Sequence, residues 1–261
     1  MPTTLMKTCL FGMAGVMTIG LAACGGNSSS TDTSASATSG RASATASQTP
    51  TEHKQSEALK RLSKDDFTKA ISDRKIDNQT FTVVDSPQLA TQVDQVTKVI
   101  SQAKISPADC GTILKQSTIG VTSSEIKNVV AAVAGTQSAP IVVNFNAAMS
   151  NRQKKMYGAE NEQFSKCGHV TMELQGHKTK TTMKVTPIKG YEAISKRASL
   201  YTTATSNDNG PEVPSYQAYV WLKDDQLIQT TARDAKTAQS TLKSALNALG
   251  IVAKCARECG C

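Results

Sequence analysis

The sequence predicts an α+β fold: a single domain in which an antiparallel β-sheet, laid out as a meander, packs against helices. Three observations carry this prediction. Between His169 and Thr231 the apolar residues recur with a period of two, and after Asp234 the residues Ala235, Ala238, Leu242, Ala245, Leu246 and Leu249 fall on one helical face. Ahead of the meander, cap signatures open several helices. Consecutive strands followed by an amphipathic helix place that helix over one side of an antiparallel sheet.

The folded part begins near Ser56. Ser63 and Asp66 have the spacing of a capping box, which predicts a helix burying Phe67, Ala70 and Ile71. Phe81 to Val84 predicts a strand. Ser86-Pro87 reads as an N-cap with Pro at the first helical position, and Leu89, Val93, Val96 and Ile100 keep helical spacing behind it. Ser106-Pro107 repeats the signature and places Cys110 in the first turn of a helix that ends near Gln116. Residues 122–134 fit two readings, a helix opened by Thr122 and Glu125 or a buried strand over Val129 to Ala134. Ile141 to Asn146 is a strand, and Ala147 to Lys166 a polar, exposed helix leading to Cys167.

The period then changes. Val170, Met172 and Leu174 alternate with His169, Thr171 and Glu173, and after a turn at Gly176 the pattern resumes with Thr181, Met183 and Val185. Arg197 to Thr205 gives a third strand, Ser206 to Pro214 a polar connection, Tyr216 to Leu222 a fourth strand and Leu227 to Thr231 a fifth. The Ala/Leu-rich helix closes the domain.

The N-terminal region has a different character. Lys7 precedes an apolar stretch from Cys9 to Leu21, which is interrupted by glycines and falls short of the roughly 20 apolar residues that span a bilayer. Leu21-Ala22-Ala23-Cys24 follows, and it resembles the bacterial lipobox, in which the Cys is lipidated and becomes the first mature residue. The expected organisation is a signal peptide over 1–23, a flexible Ser/Thr/Ala-rich tether over 24–55, the α+β domain over 56–254 and a Cys-rich tail over 255–261. Cys24 is the expected lipid-attachment site, and two acyl chains at one site anchor stably where one does not. The expected location is the extracytoplasmic face of the cell membrane.

Removing residues 1–23 takes away Lys7 and leaves 28 basic and 21 acidic residues, a net charge of 28 − 21 = +7. These charges are scattered and aromatic residues are few, which argues against nucleic acid as a partner. Of seven cysteines, Cys9 leaves with the signal and Cys24 is acylated. Cys110, Cys167, Cys255, Cys259 and Cys261 remain, an odd set in a compartment where thiols become disulfides.

Several stretches together carry a family likeness. They are the Leu62-Ser63 helix, Pro107-Ala108-Asp109-Cys110, the strand around Val143, Phe164-Ser165-Lys166-Cys167-Gly168-His169-Val170-Thr171, the meander and the final helix. Over roughly residues 57–254 the chain resembles the PknH-like extracellular sensor domains of actinobacterial lipoproteins and receptor kinases. It differs in having Phe164 where the family often has Trp, and in its Cys-rich tail. The resemblance implies an α+β domain with an antiparallel sheet, a concave cleft for a ligand and structural disulfides, with Cys110 and Cys167 as the matching pair. It brings no catalytic residues.

Other candidates were weighed against plainer readings. Cys255, Cys259 and Cys261 read as one local disulfide plus a leftover thiol, since a structural zinc wants about four ligands. His169 and Glu173 share a strand face, but His177 lies past the turn, so no metal site is expected there. Tyr219 and Trp221 point to one face, where they either line a ligand cleft or lie under a helix. Phosphate loops, nucleophile elbows and clustered acid pairs are missing, so no cofactor and no enzyme activity are expected. The expected role is a non-catalytic ligand-binding or sensing lipoprotein, with a small molecule, lipid or protein as its ligand. A lipid or glycolipid carrier and a structural protein-interaction module are the alternatives.

Overall fold

The computed structural model describes residues 61–72, 75–84, 86–111, 123–136, 138–159, 166–195, 197–208, 210–222 and 225–251. The signal peptide, the tether with Cys24, the helix expected beyond Gly111, Phe164 and the tail cysteines Cys255, Cys259 and Cys261 lie outside these residues. In chain order the described elements are α1 (Lys64–Ser72), β1 (Thr82–Val84), α2 (Ser86–Gln102), β2 (Lys104–Ser106), α3 (Ser123–Ile126), β3 (Val129–Gly135) and β4 (Pro140–Asn146). Then come α4 (Asn151–Gly158), β5 (His169–Leu174), β6 (His177–Pro187), β7 (Arg197–Asn207), β8 (Val213–Trp221), β9 (Leu227–Ala232) and α5 (Ala235–Ala248). Among the described residues, no helix is long and apolar enough to cross a membrane.

The strands form one nine-stranded sheet in the order β1-β3-β4-β9-β8-β7-β6-β5-β2. Every neighbouring pair is antiparallel, and the protein is an α+β single domain. The meander β5 to β9 is continuous, as the alternation predicts. Its first hairpin turns on Gln175 and Gly176, both at positive φ, the two-residue geometry whose twist matches that of the flanking strands. The sequence reading did not anticipate that β4 pairs with β9 and so adds β1, β3 and β4 to the meander, nor that β2 pairs with β5 at the far edge. Both edge strands are only three residues long, which limits the unpaired backbone they present.

The two faces of the sheet are built differently. On the first face, α1 and α5 cover Val130, Val143, Phe145, Ala218, Val220 and Ile228. Phe67 of α1 stacks on Phe145 with ring centroids 5.2 Å apart, and α5 inserts Ala238, Leu242, Ala245 and Leu246. On the second face, α2 lays Leu89 and Val93 over Ala131, joined there by Ile126 from α3. Helix α4 covers Tyr219 and Leu227 on that same face.

Local sequence explains where these helices start. Ser63 and Asp66 make the predicted capping box: the Ser63 N–H donates to the Asp66 carboxylate at 2.9 Å and the Asp66 N–H to Ser63 Oγ at 3.0 Å. Helix α2 begins at Ser86-Pro87, as expected. The ambiguous 122–134 segment resolves into both readings in succession, a single turn at Ser123–Ile126 and then the strand β3. Two expectations need correction. Ser106 ends the edge strand β2 instead of capping a helix, and the helical turn holding Cys110 starts after Pro107. The helix after β4 covers only Asn151–Gly158 among the described residues, and it is not wholly exposed: Gln153 and Tyr157 are buried, because this helix roofs the second face.

The chain enters the domain through a polar clamp at the β8–β9 turn. Arg61 grips both carboxylate oxygens of Asp225, at 2.6 and 3.0 Å, and also donates to the carbonyl of Ala147. The buried Gln226 side chain completes a two-way bridge to the Leu62 backbone, accepting from its N–H at 3.1 Å and donating to its carbonyl at 2.7 Å. Gln226→Ala strips both groups of Leu62 of their partner, so we expect a loss of about 1–3 kcal/mol in urea unfolding. Asp225→Ala, which breaks an ion pair open to water, should cost less.

Helix α5 offers a pH-dependent test. Asp234 is its N-cap and accepts from the Thr237 N–H at 2.7 Å, a bond that holds the carboxyl pKa below its ordinary value. A lowered folded pKa means that the stabilisation is complete above the ordinary aspartate range and is lost as pH falls through the lowered value. Asp234→Ala should cost about 1 kcal/mol at neutral pH in urea unfolding, and the gap to the parent should narrow in acid.

Candidate functional site

Cys110 and Cys167 are joined. Their Cα atoms lie 5.6 Å apart across 57 residues of sequence, which is the pairing the family resemblance implies. Both are buried, and with Val170, Met183 and Tyr201 they form a small cluster on the second face. Cys110 sits in the turn that follows the edge strand β2, and Cys167 immediately precedes β5, its neighbour. The bridge therefore staples the turn after the edge strand β2 to the chain that enters β5.

Between this cluster and α2, the centre of the second face is polar. Three cross-strand rows run through β4, β9 and β8. Val142 stands opposite Thr231 and Thr231 opposite Gln217; Asn144 faces Gln229 and Gln229 faces Tyr219; Asn146 faces Leu227 and Leu227 faces Trp221. Buried side chains in these rows carry amides and hydroxyls, whereas the alternate residues on the opposite face, such as Val143, Phe145, Val220 and Ile228, are apolar. No acidic or basic residue occurs among the described buried residues.

Helix α4 is fitted to these rows by a second capping box. Ser150 Oγ accepts from the Gln153 N–H at 3.1 Å while Gln153 Oε1 accepts from the Ser150 N–H at 2.9 Å, and the same oxygen takes a bond from Asn146 Nδ2 at 3.3 Å. Glu125 holds the helix start from α3, bonding Ser150 and pairing with Arg152 at 2.6 Å. At the other end, Arg197 donates to the carbonyls of Tyr157 and Gly158, satisfying the helix C-terminus. Tyr157 in turn donates to Gln229 Oε1 at 3.4 Å.

Tyr219 and Trp221 do share a face, and α4 covers them. Tyr219 is only 1 % exposed and its ring lies 5.6 Å from that of Tyr157; Trp221 is half-buried at the margin of the same cluster. His169 and Glu173 fall on the first face, whereas His177 pairs opposite Leu174 on the second and approaches Asp208 at 3.7 Å, so the strand does not bring the three together.

Among the described residues, five buried polar atoms on the elements of this side have no hydrogen-bond partner: Asn144 Oδ1, Thr231 Oγ1, Trp221 Nε1, Gln153 Nε2 and, on α2, Gln92 Oε1. Reading the sequence did not single out Asn144, Gln153, Gln229 or Thr231. The Ser150-x-x-Gln153 box was a legible signal. The strand amides were not, because alternation alone makes them look like the wet side of a sheet.

No family model matches the chain. No curated protein matches it. Among solved structures, it is similar to an uncharacterized protein of Mycobacterium smegmatis, with 14% identity, 66% of this chain and 86% of that chain covered, and a TM-score of 0.36.

The bridge sets how strongly the fold resists unfolding. Closing a loop of this length removes chain entropy from the unfolded state worth about 4 kcal/mol. Cys110→Ala/Cys167→Ala should therefore lower the urea midpoint strongly, and a reducing agent should destabilise the parent far more than the double variant.

Proposed function

We propose that this chain is a membrane-anchored extracytoplasmic lipoprotein whose α+β domain is a non-catalytic ligand-binding or sensing module of the PknH-like type. The observation that carries the reading is the Cys110–Cys167 bridge, because structural disulfides persist in oxidising compartments. The lipobox ending at Cys24 and the Ser/Thr/Ala-rich stretch behind it supply an anchor and a tether of matching kind. Beneath α2 and α4 the second face carries neutral amides, hydroxyls and aromatic rings, groups of the kind that hold and orient a ligand.

Metabolic labelling of the full chain with an alkyne fatty acid in a bacterial host tests the anchor. Label should appear on the parent and vanish in Cys24→Ala, which should also leave the membrane fraction. Label retained by the variant, or an unlabelled parent, would overturn the assignment. Comparing native and denatured masses of the purified parent tests the binding reading, which expects a noncovalent mass lost on denaturation.

A further inference from the structure

We infer that the open outer part of the first face is a docking surface for a membrane that bears anionic phospholipids. The inference rests on the anchored reading above and adds which side of the domain meets the bilayer. Helices α1 and α5 lie over β3, β4, β9 and β8, and beyond them the first face of β6, β5 and β2 stays open. Lys104, His169, Lys178, Lys180 and Lys184 are all exposed there. The residues that alternate with them, Ile105, Val170 and Met183 among them, are buried on the second face. One side of these three strands is therefore dry and the other is wet.

The wet side is cationic. Strand register puts Lys104 opposite Glu173 and Glu173 opposite Lys178, with Lys180 and Lys184 farther along the same side of β6. Four lysines thus share one plane with a single acidic side chain, Glu173, and β7 continues that plane with the neutral Thr202, Ala204 and Ser206. Asp208, just past the end of β7, is turned to His177 and to the Lys178 N–H. Among the described residues, no ion pair engages any of the four lysines. With strands about 4.8 Å apart and a rise of about 3.4 Å per residue, they spread over roughly 10 by 20 Å.

Shape and attachment select the partner. A sheet face without a groove brings all of its charges to a planar surface at once, and the long lysine stems let the ammonium groups settle on phosphates. Each lysine brought up to an anionic bilayer strengthens association about fivefold, and salt screens the effect. The proposed lipid anchor at Cys24 stands 61 − 24 = 37 residues before Arg61. A Ser-rich coil of that length spans roughly 30–36 Å, so the lysine face stays within reach of the headgroups and contacts too weak to recruit a free protein are populated.

The test adds the full lipidated chain to phosphatidylcholine vesicles with and without phosphatidylglycerol and reads the acetylation rate of each lysine by mass spectrometry. Lys104, Lys178, Lys180 and Lys184 should react severalfold more slowly on the anionic vesicles, and molar salt should remove the difference. Lys98 on α2 and Lys155 on α4, exposed on the other side of the sheet, should keep their rates. In Lys178→Gln/Lys180→Gln/Lys184→Gln, where every changed side chain is exposed, the protection of Lys104 should disappear. Slowing shared by all lysines, or protection of Lys104 that survives the triple variant, would overturn the inference. Protection by soluble polyglutamate without protection by phosphatidylglycerol would also overturn it and assign the face to an acidic polymer. A chain that holds to both kinds of vesicle with equal rates overturns docking and leaves the anchor standing. Retention on anionic vesicles alone, with these lysines protected, upholds docking and overturns the anchor, and retention on neither overturns both.

Discussion

The pairing of β4 with β9 is the contact on which the rest of the structure depends. Residues 142–146 meet 227–231 in antiparallel register, and this ladder alone joins the β1-β3-β4 unit to the meander. Without it each part would end in an exposed edge, and the apolar core that α1 and α5 share over the first face would be divided. The ladder also unites chain segments far apart in sequence, so its loop-closure entropy must be offset by what it buries: Phe145 and Ile228 on one side, Asn144 and Gln229 on the other.

Those two sides solve different problems. The first is an apolar core of ordinary kind, in which ring stacking between Phe67 and Phe145 and the small Ala faces of α5 allow close approach. The second is covered by α2 and by the short helices α3 and α4, the latter held by polar devices, the Ser150–Gln153 box, the Glu125–Arg152 pair and the Arg197 cap. A protein that needed only stability would fill the second face with aliphatic residues, because burying an unmatched amide is costly. Asn144 and Thr231 are the local departure from good packing on this face.

Much of the fold was legible in the sequence, for identifiable physical reasons. The Ser63–Asp66 box, the Ser86-Pro87 start of α2, the alternation in β5 to β9 and the apolar stripe of α5 are all local signals, written within one element. The joining of β4 to β9 and of β2 to β5 is a long-range property, and no residue within either strand announces its partner. The site was harder still. A stripe of Asn, Gln and Thr on alternate positions reads the same whether it faces water or lies beneath a helix, and only the placement of α2 and α4 tells the two apart. Tyr219 and Trp221 stood out because large aromatic rings are rare in this chain, yet they mark the margin of the polar rows and not their centre.

The Arg61–Asp225 clamp sets how the domain would carry a mechanical load. It holds Arg61 and Leu62 against the β8–β9 turn, beside the row that ends in Asn146 and Trp221. Tension arriving along the preceding chain reaches that corner before any strand, and it pulls on side-chain bonds to Asp225, Gln226 and Ala147, not on the ladder itself. A load applied at residue 61 would therefore be met by these side-chain bonds ahead of the β4–β9 ladder.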